Sequence, residues 1–284
     1  MKPVTFGIKT APQHTTYEAI LQVWQAADEN PAFAHAWLFD HYAPIHSAVS
    51  GPCLEGWTTL AALAAETSRI RLGLMVTGNT YRHPAVLASI AATVDIISNG
   101  RVDIGIGAGW NEYEHESMGI PLYAPGERIR RLDEACQILK LLYTQEVTTF
   151  DGRYYQLKEA RREPKPVQKP HPPLLIGGSG EQLTLRVAAK HANIWNFVAG
   201  PVEVFQHKVD VLKQHCEKVG RNFDEIVLST QVRVDYDDLS SARERTQSFI
   251  DAGATHFVYT LSYPYPADIV TRLADEVMGA VQGK

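Results

Sequence analysis

The sequence predicts an α/β protein, a (β/α)8 TIM barrel with an insertion between helix 4 and strand 5. Three observations predict it. Short β-branched or apolar runs alternate with longer segments of helical period along the chain. The runs are almost continuously apolar, as strands buried on both faces require. Eight strand-helix pairs follow one another in order, which implies a closed barrel, because an open doubly wound sheet of 284 residues has fewer strands and a switch in winding. With 45% hydrophobic and 21% charged residues the chain can bury one large core, and a single domain over residues 1–284 is expected.

The strands are read as Val4–Lys9, Ala36–Asp40, Ile70–Thr77, Val102–Gly107, Leu174–Gly178, Ile194–Val198, Ile226–Val234 and His256–Leu261. The helices between them are Tyr17–Asp28, Trp57–Glu66, Pro84–Ser98, Glu127–Thr144, Glu181–His191, Pro201–Val219, Ser240–Asp251 and Ala267–Val281. Pro84 and Pro201 suit first-turn positions, and Gly100 and Gly220 follow helix ends. Residues 147–170 break the rhythm. Val147–Phe150 and Tyr154–Leu157 around Asp151-Gly152 read as a hairpin, followed by Pro164, Pro166 and Pro170. Residues 41–56 form a second long connection, on the side of the barrel where βα loops build active sites.

The net charge of −5, without a lysine or arginine block, offers no electrostatic hold on nucleic acid or an anionic membrane. No apolar run approaches the roughly 20 residues a membrane helix needs. Cys53, Cys136 and Cys216 are odd in number and far apart, so neither a disulfide framework nor a CxxC site is expected, and a reducing cytoplasm fits. No HxH, HExxH or GxSxG spacing supports a metallohydrolase or an acyl-transfer serine; no metal is expected.

Side chains at the carboxyl ends of barrel strands converge on one mouth. After strand five, Gly177-Gly178-Ser179-Gly180 precedes a helix, which is either a phosphate seat of unpaired backbone N–H groups at a positive dipole end or a tight left-handed turn. After strand four, Gly105-Ile106-Gly107-Ala108-Gly109-Trp110 lacks the spacing and acidic partner of a dinucleotide fingerprint; its glycines admit either a planar ring against the backbone or close strand-helix packing. His41 is either a proton donor at a strand end or a structural imidazole, and Asp40 either a site residue or a loop cap. In Tyr81-Arg82-His83-Pro84, Arg82 or His83 either holds an anionic group or belongs to a solvated helix start.

In order along the chain stand Asp40-His41, the block from Thr67-Ser68-Arg69-Ile70-Arg71-Leu72-Gly73 to Thr77-Gly78-Asn79-Thr80-Tyr81-Arg82-His83-Pro84, the stretch from Ser98-Asn99-Gly100-Arg101 to Gly105-Ile106-Gly107-Ala108-Gly109-Trp110, and Pro172-Pro173 through Gly177-Gly178. With these segments nearly the whole chain resembles the luciferase-like monooxygenase superfamily, in its bacterial luciferase-like, F420-dependent oxidoreductase subgroup. The resemblance implies a cofactor phosphate on Gly178, Ser179 and Gly180, with Thr77, Asn79 and Gly107, Ala108, Gly109 and Trp110 along the ring and ribityl chain. It implies a non-proline cis peptide at Leu74-Met75 or Met75-Val76 in a bulge that backs the ring, Asp40 on the cofactor side, and His41 as the catalytic or cofactor-side histidine. The cofactor implied is the deazaflavin F420, with FMN as the alternative. The function implied is hydride transfer between the deazaflavin and a small organic substrate. The alternatives are an FMN-dependent monooxygenase using reduced flavin and O2, a non-catalytic flavin-binding protein, or a barrel enzyme that takes a sugar phosphate on the glycine loop. Sugar-phosphate dehydrogenases of the family carry a glutamate where this chain has Trp110, which argues against glucose 6-phosphate. A cytoplasmic homodimer served by a separate cofactor-reducing enzyme completes the expectation.

Overall fold

The computed structural model describes residues 3–281, so both ends of the expected 1–284 domain lie outside the described residues. In chain order the first half runs β1 (Thr5–Thr10), α1 (Tyr17–Glu29), β2 (Phe33–Leu38), α2 (Gly56–Glu66), β3 (Arg71–Leu74), β4 (Thr77–Gly78), α3 (Pro84–Ile97), β5 (Val102–Gly107), α4 (Glu112–Ser117) and α5 (Pro125–Thr144). The second half runs β6 (Thr148–Asp151), β7 (Gln156–Ala160), β8 (Leu174–Gly177), α6 (Thr184–His191), β9 (Ile194–Phe197), α7 (Val202–Val219), β10 (Val227–Arg233), α8 (Leu239–Asp251), β11 (His256–Leu261) and α9 (Ile269–Arg272). A π-helical turn, Leu273–Met278, continues α9, so the last expected helix is split. The sheet order β3-β2-β1-β11-β10-β9-β8-β5-β4, with a further β3–β5 pairing, closes a parallel (β/α)8 barrel in which β3 and β4 together form one stave.

Every expected stave forms, and the departures are local. The second strand ends at Leu38, which leaves Asp40 and His41 on the loop above it. The third, read as the run Ile70–Thr77 with a bulge implied at Leu74-Met75 or Met75-Val76, is interrupted at the second of these. Gly73 pairs with Asp103 and Thr77 with Ile106, so this stave advances four residues while β5 advances three. The extra residue is a β-bulge at Met75-Val76, and the peptide between these two is cis. The neighbouring staves make room for it: a Cβ on Gly105 would stand 1.8 Å from the Leu74 carbonyl oxygen, and one on Gly107 2.8 Å from Val76 Cγ2.

The β6–β7 pair is the antiparallel hairpin expected between α5 and β8, displaced by one to three residues because its turn spans Gly152–Tyr155, closed by Gly152 N–H donating to the Tyr155 carbonyl at 3.0 Å. Glu134 on α5 accepts from the backbone N–H groups of Arg153, Tyr154 and Tyr155 at 2.9–3.1 Å and fixes the hairpin over the barrel.

Two apolar layers hold the barrel. The larger packs the helices on the outer strand faces, and a smaller set, Trp37, Met75, Leu175, Ile194 and Val258, fills the lumen. Below these side chains the lumen is polar. His35 and His256 stack with centroids 3.8 Å apart. Trp37 Nε1 donates to His35 Nδ1 at 2.8 Å, and Ser229 Oγ meets His256 Nδ1 at 2.8 Å. Arg71 grips Asp103 through Nε at 2.9 Å and Nη2 at 2.5 Å. Burial pushes His35 well below its ordinary range and His256 down to about 3, so both imidazoles are held neutral.

A folded-state pKa below the unfolded value means that the stabilisation is complete above about pH 6.5 and is lost as the pH falls toward 3. His256 alone should remove about 2 kcal/mol of unfolding free energy between pH 7 and pH 5. Urea unfolding at both pH values should show that much less pH dependence in His256→Gln than in the parent chain; equal pH dependence would refute the assignment.

Candidate active site

The barrel mouth lies over the carboxyl ends of the staves, and two side-chain networks shape one side of it. The first fixes the base of the loop after β2. Asp40, fully enclosed, accepts from Arg82 Nη1 at 2.5 Å and Nη2 at 3.0 Å and from Thr77 Oγ1 at 2.8 Å. Thr77 Oγ1 in turn accepts from Trp57 Nε1 at 2.7 Å, and Arg82 also binds Glu55. Asp40, Thr77 and Arg82 are thereby tied to one another.

The second network surrounds His41. Its Nδ1 lies 2.7 Å from Glu114 Oε2, which also accepts from the Tyr81 hydroxyl at 2.7 Å. Glu114 Oε1 accepts from the backbone N–H groups of Tyr42 at 2.5 Å and Ala43 at 3.1 Å. Burial works against the carboxylate, but the bonds from His41 and Tyr81, with those from the loop amides, pull its pKa down to about 2. An ionised carboxylate only accepts, so His41 Nδ1 carries the proton toward Glu114, and Nε2 is the ring nitrogen without a protein partner among the described residues. Burial and Glu114 push Tyr81 well above the ordinary phenol range, so its hydroxyl is a fixed donor. Phe39, with ring centroids 5.0 Å from His41, and Trp110, at 5.7 Å, present edges to the imidazole.

Trp110 also stacks on His46 at 5.6 Å and remains half exposed at the rim. Gln13 straps the His46 loop to the barrel: its amide donates to the Ile45 carbonyl at 3.0 Å and accepts from the Ile45 N–H at 2.7 Å. Asn79 Nδ2 donates to the Tyr155 hydroxyl at 3.2 Å, which joins the hairpin to the mouth, while Asn79 Oδ1 is buried without a partner.

Across the mouth, Gly178 has φ +120°, a conformation open to glycine, and a Cβ on Gly180 would stand 2.8 Å from Thr184 Oγ1. The expected helix start at Glu181 is corrected to Thr184, because residues 181–183 form a turn. Among the described residues, the backbone N–H groups of Ser179, Gly180, Glu181 and Gln182 donate to no protein acceptor.

The model of the family described as luciferase-like monooxygenase matches residues 4–278. The chain belongs to this family. Within it, an uncharacterised protein of Mycobacterium tuberculosis H37Rv is 36% identical over 169 residues, 60% of this chain and 58% of that protein, so the match spans less than two thirds of the relative's length. An F420-dependent glucose-6-phosphate dehydrogenase of Microbacterium testaceum is 32% identical over 250 residues, 86% of this chain and 72% of the relative. An FMNH2-dependent dimethylsulfone monooxygenase of Pseudomonas putida is 30% identical over 184 residues, 62% of this chain and 50% of the relative. The fold matches the solved structure of an F420-dependent secondary alcohol dehydrogenase with a TM-score of 0.88 at 18% identity, over 99% of this chain and all of that one.

In this member of the family the residues singled out from sequence fall into three groups. Asp40, His41, Thr77, Arg82 and Trp110 belong to the linked networks on one side of the mouth. Leu74, Met75 and Val76 form the bulge, backed by Gly105, Gly107 and Gly177, and Gly109 packs against Thr80. Gly178, whose N–H donates to the Asn196 carbonyl at 3.4 Å, leads on the other side into the free amides of Ser179 and Gly180, and Asn79 is buried beside the hairpin. Sequence reasoning missed Glu114 and Tyr81 as partners of His41. The signal for Glu114 was there: Asn111, a good N-cap, followed by Glu112 and Glu114 in a first turn, marks the short α4 that aims it.

Glu114→Gln replaces an acceptor by an amide that both donates and accepts, so the Nδ1-protonated tautomer is no longer enforced. Nitrogen-15 NMR at neutral pH should show one neutral His41 tautomer or its cation in the parent chain and a mixture of tautomers in the variant; an unchanged pattern would remove Glu114 from this role.

Proposed function

We propose that this luciferase-like protein is an F420-dependent oxidoreductase that transfers a hydride between the deazaflavin and a small organic substrate, with His41 handling the accompanying proton. One observation carries the reading: an unsatisfied row of amides, Ser179 to Gln182, faces a wall of glycine-backed strand across the same mouth as a carboxylate-oriented histidine. The residues present fit a phosphate-tailed planar cofactor. Free N–H groups ahead of α6 suit an anion. Gly105, Gly107 and Gly177 admit no side chain beside the bulge, and the buried Asn79 Oδ1 lacks a donor that a ligand N–H or O–H can supply.

On this reading Gly178, Ser179 and Gly180 hold the phosphate, Met75 and Val76 back the ring, and Thr77, Asn79 and residues 107–110 line its length. When bound, the cofactor supplies the two-electron chemistry. The chain's own part is orientation, exclusion of water and the proton. Glu114 keeps the His41 proton on Nδ1 and turns Nε2 to the substrate side, where it accepts or returns a proton at the substrate oxygen as the hydride leaves or arrives. The half-exposed Trp110 and the equally exposed Val198 make the rim apolar, with Phe39 buried against His41, which suits a small organic substrate. We place the protein in the cytoplasm as a homodimer drawing on a separate cofactor-reducing enzyme. Among the described residues no helix is long and apolar enough to cross a membrane.

The second reading is an FMN-dependent monooxygenase, which the similarity to the dimethylsulfone enzyme favours. Absorbance titrations with F420 and with FMN, followed by oxygen uptake with reduced FMN, separate the two: F420 should bind at micromolar concentrations and reduced FMN should drive no substrate-dependent oxygen consumption. His41→Ala should lower turnover about 10²- to 10⁴-fold while cofactor affinity stays within about threefold. Binding of neither cofactor below about millimolar would end the proposal.

A further inference from the structure

On the outside of the barrel, the turn that carries the free amides runs into a groove of about 290 Å³ lined by Gln182, Arg186, His215, Lys218 and Val219. The turn of residues 181–183 leads into α6, which brings Arg186 four residues past Gln182. The last turns of α7 supply His215 and Lys218, three residues apart and so on one face. His215 Nε2 donates to the Glu181 carbonyl at 2.7 Å, which fastens α7 to the turn and fixes the groove against the row of amides. Gln182 belongs to both: its N–H is the last of the four without a protein acceptor, and it lines the groove.

The groove carries positive charge with no carboxylate set against it. Arg186 and Lys218 are exposed, and among the described residues neither pairs with an acid. The carboxylate of the turn, Glu181, is turned instead to Lys208 at 2.5 Å and His207 at 3.0 Å on α7, which hold it below the usual carboxylate range. Glu217 adjoins Lys218 in sequence, but residues one apart on a helix do not face each other. Three cations, Arg186, Lys208 and Lys218, thus stand around one engaged carboxylate, in a chain whose net charge is −5. A local excess of this kind attracts an anion, and the exposed lining suits one that is extended and laid along the surface.

The position narrows the ligand. Gly180 and Gln182 are two residues apart, so the phosphate seat and the groove are separated by no more than about 7 Å of chain. A ligand whose phosphate sits on Ser179 and Gly180 reaches the groove only with what it carries beyond that phosphate. FMN ends there, whereas F420 continues through a lactyl group into a chain of glutamates with a free carboxylate on each. We propose that the groove between α6 and α7 is the seat of this oligoglutamate tail, with Arg186 and Lys218 pairing its carboxylates. The inference rests on the cofactor-binding reading above and adds a feature that reading does not assign: a preference for F420 over FMN that lies outside the ring.

The test titrates the full chain with F420 bearing its glutamates, with the same deazaflavin phosphate trimmed of them, and with FMN, each at low and at high salt. In the parent chain the form with glutamates should bind about fivefold or more tighter than the trimmed form at low salt, the scale of two exposed ion pairs. Salt at about 0.5 M should remove most of that difference. The double substitution Arg186→Gln, Lys218→Gln should bind the two deazaflavins alike, with the trimmed form and FMN each held within about twofold of the parent. Equal affinity of the parent for both deazaflavins, a preference that survives the double substitution, or equal weakening of both forms by it would overturn the tail seat and leave the oxidoreductase reading standing. A parent chain that binds neither deazaflavin would overturn both.

Discussion

The extra residue in the third stave is the constraint on which the mouth depends. Between the Gly73–Asp103 and Thr77–Ile106 pairs the chain takes one step more than β5 beside it, and the surplus protrudes as Met75-Val76. A protrusion of this size inside a closed barrel is tolerated only where the flanking staves lack side chains. Gly105, Gly107 and Gly177 meet that requirement, with the Leu74 carbonyl and the Val76 methyls occupying the space where their Cβ atoms would stand. The bulge also resets the register, so that Thr77 reaches Asp40 and Trp57 and Tyr81 reaches Glu114. Without the additional residue the alternation of the strand would turn Thr77 to the opposite face.

Glu114 performs the corresponding task for the loops. It reaches the mouth from a helix of six residues between β5 and α5, yet its two oxygens gather the His41 imidazole, the Tyr81 hydroxyl and two backbone amides of the loop after β2. These partners belong to two connections, after β2 and after β4, and Glu114 itself to a third. A buried carboxylate with four donors is strongly held in its ionised form, so it joins the loops and sets the histidine tautomer through the same contacts. The order of the mouth thus comes from side-chain chemistry laid over irregular backbone.

The staves and most helices were legible because barrel strands buried on both faces declare themselves as short apolar runs and the helices between them as amphipathic ones. The legible part of the site was its backbone part: the glycines of residues 105–109 and 177–180 announce where main chain must come close or turn. The residues of the run Ile70–Thr77 did not themselves disclose the bulge, which the family resemblance alone implied; the pairing on β5 places it at Met75-Val76. Similarly, Glu114 is one acid among several in Glu112-Tyr113-Glu114-His115-Glu116, and helical phase alone puts it, rather than Glu112 or Glu116, inside. The hairpin turn was misplaced because Asp151-Gly152 has the composition of a tight turn, while Glu134, a residue distant in sequence, holds a wider one open.

The lumen has a gradient of electrostatic compensation from base to mouth. At the base, His35 and His256 are held uncharged and Arg71 is matched by Asp103, so the interior there carries charge only as a pair. Midway, Trp37, Met75, Leu175, Ile194 and Val258 pack as a buried apolar cluster. At the top the pattern reverses: Lys9 has an amide oxygen in place of a carboxylate, Asn79 keeps an oxygen without a donor, and the amides after Gly178 are unspent. Unmet polar groups are costly, and these lie at the end of the barrel where a ligand can meet them. One hydrogen-bonded path, Lys9–Gln231–Asn196–Ser229–His256, passes this apolar layer and joins the two ends. The neutral histidines of the base and the unmet groups of the mouth thus belong to one polar path flanked by apolar side chains.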